Sequence, residues 1–238
     1  MGIKIMRINL YRLMHPILLA IVKVKKKPEI VLLNENLHCG AAIYAVNHSN
    51  KYDVPVVAEI VKHHVWILVG KQRLDLMDRI FFSLNGSVWV DRKNKHDRGT
   101  AKEKVQQLLN SENSVVIFPE GTWNLTALKP MLPLYWGIID IARTTGKPIV
   151  PLVLEYKDET VIAKFGEKFF VKKDADKSRE INRLADKLAT LKWEIWEQSP
   201  VVQRKALVEN EWSLEVQKRL KEYPKIDFQY ELSCIRSE

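Results

Sequence analysis

The chain has 238 residues, 46% hydrophobic and 28% charged, with a formal net charge of +9. That length suits one domain with appendages and a full core, and the composition excludes a disordered or collagen-like chain. Cys39 and Cys234 are too few and too far apart for a disulfide framework or a cysteine metal site, which fits a reducing, cytoplasmic compartment.

The charge is concentrated at the start. Residues 1–27 hold Lys4, Arg7, Arg12, Lys23, Lys25, Lys26 and Lys27 and no acid, which is seven of the nine net charges. So basic a field attracts nucleic acid or anionic lipid. On a helix from Met1 to Val22, Lys4, Arg7, Arg12 and His15 share an arc of roughly 140°. Ile3, Met6, Leu10, Leu13, Met14, Ile17 and Ala20 fill the opposite side. That is the pattern of a helix lying in a membrane interface, with an ordinary amphipathic helix docked on the core as the plainer alternative. Its longest uncharged stretch, Leu13 to Val22, is half of the roughly 20 residues needed to span a bilayer. It lacks a small-residue cleavage site, so a signal peptide is not expected. Nucleic acid is not an expected partner, because the basic residues accompany an apolar helix face rather than exposed aromatics.

Pro28 to Cys39 reads as a connector with a short strand at Ile30 to Leu33. Ala41 to Val46 suits a buried strand ending at Asn47-His48. Asp53 followed by Pro55 predicts a helix start, with Asp53 near the N-cap and the helix running to about His64. Val65 to Val69 is the next strand, Leu74 to Leu84 a helix closed by Asn85-Gly86, and Ser87 to Val90 a strand. Thr100 and Glu103 have capping-box spacing and open a helix through about Leu109. Ser114 to Phe118 is a strand leading into Pro119-Glu120-Gly121-Thr122. Leu132 to Thr145 reads as a helix ending at Gly146. Ile149 to Tyr156 and Thr160 to Val171 read as strands, and Ser178 to Gln198 and Val202 to Glu222 as amphipathic helices. Trp193, Trp196 and Trp212 are expected to pack between helices, with a lid or a second interfacial surface as the alternative.

Strands alternating with helices predict an α/β fold with a mostly parallel central sheet flanked by helices. The chain divides into a basic interfacial helix (1–27), a core (28–172) and a C-terminal helical extension (173–238). In such sheets ligand chemistry gathers at the carboxyl ends of strands. His48, Arg92 and Glu120 each lie just past a predicted strand.

Imidazole is largely neutral at pH 7 and makes a base when one nitrogen is free and the other is held by an acceptor. Asp53 can be that acceptor for His48, the logic of the hydrolase triads; a plain N-cap is the alternative role for Asp53. Ser49 lacks the glycine-flanked elbow of a serine nucleophile. Cys39 has no activating neighbours, so the site suits a base that activates a substrate hydroxyl. Glu120-Gly121 forms an acidic loop in which glycine permits close approach to a ligand, or else a common turn. Arg92 is a candidate phosphate ligand through its guanidinium, or a solvated charge, and Lys71 is a weaker candidate of the same type. His63-His64 lack partners at metal spacing and read as surface residues; no metal site is expected.

Asn47-His48 with Asp53, then Gly86 to Arg92, then Phe118 to Thr122, then Pro148-Ile149-Val150-Pro151 resemble the four ordered blocks of the glycerolipid acyltransferases. The bacterial lysophosphatidate (1-acylglycerol-3-phosphate) acyltransferases are the most similar branch, over roughly residues 40–170. The resemblance implies transfer of a fatty acyl group from acyl-CoA or acyl-carrier protein to a lysophospholipid hydroxyl in phospholipid biosynthesis. It implies His48 as base, Asp53 as its orienting partner, and Arg92, Glu120 and Gly121 at the acceptor with the phosphate nearest Arg92; Lys71 and Thr122 complete the expected substrate-binding set. No metal or cofactor is implied. The expected partners are an anionic membrane surface, the thioester donor and the lysolipid, with the protein peripheral on the cytoplasmic face. A catalytically silent membrane-binding adaptor is the alternative. In the family the third block usually continues with Arg, where this chain has Trp123-Asn124. That departure leaves open an acceptor with another headgroup or a lipid-linked glycan.

Overall fold

The computed structural model describes residues 28–35, 40–71, 79–80, 82–83, 86–126, 129–157, 159–198, 209–221 and 229. The basic segment 1–27, both cysteines, most of the helix expected at Leu74 to Leu84 and residues 202–208 lie outside them.

Among the described residues, seven strands form one sheet in the order β1-β7-β6-β2-β5-β3-β4. In chain order they are β1 (Glu29–Leu32), β2 (Ile43–Val46), β3 (Val65–Gly70), β4 (Ser87–Val90), β5 (Ser114–Ile117), β6 (Ile149–Lys157) and β7 (Thr160–Phe165). The helices are α1 (Asp53–Ile60), α2 (Lys95–Asn110), α3 (Gly137–Thr145), α4 (Lys177–Glu197) and α5 (Glu211–Lys221). All neighbouring strands pair parallel except β6 and β7. The α/β reading with a mostly parallel sheet therefore holds.

Both faces of the sheet are covered, which is why β2 and β5 are buried at every position. The two-residue period sends Ile43 and Ala45 to one face, and Tyr44 and Val46 to the other. On the first face they meet Ala101, Val105 and Leu109 of α2, Ile138 and Ile139 of α3, and Leu184, Leu188 and Ile195 of α4. On the second they meet Val56, Val57 and Ile60 of α1. The start of the segment read as a C-terminal extension thus packs into the same core as the strands.

Several expected boundaries move, each for a local reason. The connector strand is an edge strand, because β1 pairs with β7 from Glu29↔Thr160 to Leu32↔Ala163. Helix α2 begins at Lys95, five residues before Thr100, because the Asn94 side chain accepts from the His96 and Asp97 N–H groups as a true N-cap. Helix α3 begins at Gly137 rather than Leu132. The Leu132 and Tyr135 N–H groups are directed to Glu120 and to the Pro119 carbonyl, and so do not enter a helix. Strand β7 stops at Phe165, and Phe169 returns to make a single antiparallel bridge with Ile149. Helix α1 ends at Ile60, two residues before Lys62 takes φ +60°.

The tryptophans divide. Trp196 is half-buried and meets Trp193 edge-on at 5.0 Å. Trp193 and Trp212 are exposed, contrary to the expectation of packing between helices.

Candidate active site

Strands β2, β4 and β5 run the same way, so the residues after them converge on one edge of the sheet. β2 and β5 are neighbours, which sets His48 beside Glu120. β3 separates β5 from β4, and the Arg92 side chain spans that gap.

The end of β2 is held by an amide. Asn47 donates through Nδ2 to the Leu154 carbonyl at 2.9 Å and accepts the Leu154 N–H on Oδ1 at 2.7 Å. This ties the turn to β6 after the strand register ends at Val46↔Leu152. The chain then curls around Asp53. Its Oδ2 accepts from His48 Nδ1 at 2.7 Å, from the Ser49 N–H at 2.8 Å and from the Asn50 N–H at 2.9 Å. Asp53 is fully buried at the first residue of α1. It is not a helix cap: its carboxylate is turned back to shape the loop that holds the imidazole.

Those bonds determine the His48 tautomer. Two backbone donors and one ring nitrogen share Oδ2, so Nδ1 carries the proton and donates it. Nε2 bears the lone pair, and Trp123 Nε1 donates to it at 2.7 Å. Phe118 stacks on the imidazole at 4.3 Å between centroids, and Trp123 meets it edge-on at 5.3 Å.

Glu120 stands behind the imidazole. Its Oε1 accepts the His48 N–H at 3.0 Å and its Oε2 the Leu132 N–H at 2.8 Å. Burial pushes the Glu120 carboxyl up to about 7. The Leu132 and His48 N–H groups and the Lys192 ammonium oppose that rise, and Asp53 adds to it. Placed in this way, Glu120 braces two loops, with both carboxyl oxygens on backbone N–H groups.

Gly121 follows at φ +67°. A Cβ there would come within 2.5 Å of Tyr135 Cε2, so only glycine fits the turn without displacement. Arg92 Nη1 donates to the Gly121 carbonyl, which brings these two expected residues together. Thr122 lies half-buried between Gly121 and Trp123. Lys71 stays with the β4 loop: its ammonium is 2.7 Å from Asp97 Oδ1 and half exposed. That ammonium and the Asp91 N–H hold the Asp97 carboxyl below its ordinary value. His63 is exposed, as expected, with Nε2 3.2 Å from Ser114 Oγ.

Three contributors had no clear signal in the sequence. Asn124 donates its N–H to the His48 carbonyl at 2.7 Å, and its side chain closes the next turn by accepting from Thr126 N. Leu132 acts through its backbone alone. Lys192 is buried on α4 with its ammonium 2.7 Å from Glu155 Oε2, a positive charge felt at Glu120. It occupied an apolar helical position in a charged sequence, where only contact with Glu155 distinguishes it. Among the described residues no group of three His, Cys, Asp or Glu side chains could hold a metal ion.

A half-buried imidazole oriented by a buried carboxylate at the carboxyl edge of a parallel sheet is the equipment of a base-assisted transferase. The Acyltransferase family's model matches residues 30–155, more than half of the chain, and the chain belongs to that family. It is 31% identical over 115 residues to a 1-acyl-sn-glycerol-3-phosphate acyltransferase of Haemophilus influenzae, covering 47% of each chain. It is 32% identical over 117 residues to the protein of that name in Escherichia coli (strain K12), covering 48% of this chain and 46% of that one. The chain thus aligns with about half the length of these curated relatives. The crystal structure of the 1-acyl-sn-glycerophosphate (LPA) acyltransferase PlsC from Thermotoga maritima has the same fold. Its TM-score is 0.60 at 18% identity, over 73% of this chain and 75% of that one.

Proposed function

We propose that the protein transfers a fatty acyl group from a thioester donor, acyl-CoA or acyl-carrier protein, to the hydroxyl of a lysophospholipid of the 1-acylglycerol-3-phosphate kind. The observation that carries this reading is the 2.7 Å bond from His48 Nδ1 to buried Asp53, which leaves the Nε2 lone pair for a substrate proton. In the reaction the acceptor O–H gives its proton to Nε2 while its oxygen attacks the thioester carbonyl carbon. The C–S bond breaks, the thiolate takes up a proton, and an ester and a free thiol remain. Asp53 stabilises the imidazolium that forms between these steps. The scheme uses no metal or cofactor.

Arg92 supplies positive charge near the acceptor, while Glu120 holds the base from behind. The basic segment 1–27 supports docking on an anionic membrane surface, peripheral and on the cytoplasmic face. No helix among the described residues is long and apolar enough to cross a membrane.

The test is acyl transfer by the purified full chain on vesicles containing anionic lipid. Donors are acyl-CoA and acyl-carrier protein, and acceptors are lysophosphatidate and lysolipids with other headgroups. The reading requires transfer to at least one acceptor and a loss of about 10²–10⁴-fold in His48→Ala with membrane binding unchanged. Vesicle binding without transfer to any acceptor would leave the silent-adaptor reading in its place.

A further inference from the structure

The indole of Trp123 stands where a substrate hydroxyl has to stand. An indole N–H can only donate, and this one is spent on His48 Nε2 at 2.7 Å. While that bond lasts, the lone pair that would accept a proton is occupied. Phe118 lies against one face of the ring and Trp123 meets it edge-on, so a hydroxyl that bonds Nε2 has to take the place of the indole N–H.

The backbone on either side of Trp123 is fixed. Arg92 holds the Gly121 carbonyl, and the Asn124 N–H holds the His48 carbonyl at 2.7 Å. Asn124 Nδ2 also donates to the Lys129 carbonyl at 3.1 Å. Access to the base therefore changes by rotation of the Trp123 side chain about its own bonds, with the loop in place.

We propose that Trp123 is a displaceable gate on the base: its N–H holds the Nε2 lone pair until an acceptor hydroxyl takes its place, and so keeps water from hydrolysing the acyl thioester. This rests on His48 acting as the base of acyl transfer. Water at Nε2 would give a proton to the imidazole, and its oxygen would attack the thioester carbonyl. The C–S bond would break and the thiolate take up a proton, leaving a free fatty acid and a free thiol. Water brings little binding energy to offset the lost indole bond. A lysolipid brings its chain and headgroup, which favour the open gate only when the acceptor is present.

The experiment compares the full-length wild type, Trp123→Phe and His48→Ala. One readout is carbethoxylation of His48 by diethyl pyrocarbonate, followed by mass spectrometry. The other is palmitoyl-CoA hydrolysis without acceptor, as a ratio to transfer onto lysophosphatidate in vesicles. Trp123→Phe is expected to raise both the His48 carbethoxylation rate and the hydrolysis-to-transfer ratio about fivefold, the factor for one lost hydrogen bond. Equal carbethoxylation rates in wild type and Trp123→Phe overturn the gate. If His48→Ala still abolishes transfer in that case, the acyl-transfer reading survives without the gate. Faster carbethoxylation with an unchanged hydrolysis ratio also overturns it, because the indole then caps the base without excluding water. Should Trp123→Phe fail to fold, the Trp123 indole N–H resonance of isotope-labelled wild type decides. It moves on addition of lysophosphatidate if the gate opens, and an unmoved resonance overturns the proposal.

Discussion

Glu120 holds His48 by its backbone, not by its ring: Oε1 accepts the His48 N–H at 3.0 Å, while the imidazole is turned to Asp53 and Trp123. One carboxyl group thereby locks the loop after β2 to the loop after β5, and its other oxygen reaches Leu132. His48 is positioned from both sides, by Asp53 at the ring and by Glu120 at the main chain.

The raised Glu120 carboxyl makes stability depend on pH. Its folded value of about 7 lies above the ordinary value of 4.5, so the folded state keeps a proton that the unfolded chain releases. The associated stability is fully present below pH 4.5 and is lost as pH rises through about 7. A displacement of that size corresponds to roughly 3 kcal/mol. In urea melts from pH 4 to 8, the difference between wild type and Glu120→Gln is expected to shift against the wild type across that window. A constant difference would contradict the burial of an ionisable group there.

Asp53→Asn keeps the shape of the side chain and removes the negative charge that stabilises the His48 imidazolium. Transfer is expected to fall about 10²–10⁴-fold with the fold retained. Initial rates at saturating donor, with far-ultraviolet circular dichroism as the control, check it.

Gly121→Ala places a methyl group 2.5 Å from Tyr135 Cε2 at a backbone angle of +67°. The expected cost is about 1–3 kcal/mol of stability. Transfer should fall as well, since the displaced loop carries both Glu120 and Trp123. The midpoint of urea unfolding reports the first effect and the rate the second.

Asn47→Ala leaves the buried N–H and C=O of Leu154 without their partners. At about 1–3 kcal/mol for each orphaned group, the variant should be among the least stable single substitutions outside the apolar core. Asn47→Asp should restore only the bond from Leu154 N–H, and denaturant unfolding of the pair tests that ranking.

Local features carried much of this into the sequence. The continuous apolar runs at Ile43 to Val46 and Ser114 to Ile117 were legible as buried strands because a strand covered on both faces needs apolar side chains in both directions. His48 and Asp53 could be paired because five residues of turn and first helical residue bring them together without help from distant chain. Trp123 was visible as a departure from the family's pattern. What it does was not, since its bond to His48 joins residues 75 positions apart.

Such long-range pairing is where tertiary structure took over. Glu120 was expected at the acceptor, and what only the fold shows is that its buried carboxyl also braces two loops through backbone N–H groups. Lys71 was read as a weaker phosphate ligand, and the fold brings its ammonium to Asp97. Helix α3 started late because Glu120 and Pro119 claimed N–H groups that local propensity had assigned to a helix. The sequence by itself carried most of the strands and their helical covering through local apolar runs, and it singled out His48 through its spacing to Asp53 together with the family's ordered blocks. Only the folded sheet, by laying the ends of β2, β4 and β5 along one edge, decided which polar groups meet, and a polar group's role follows from the partner it meets.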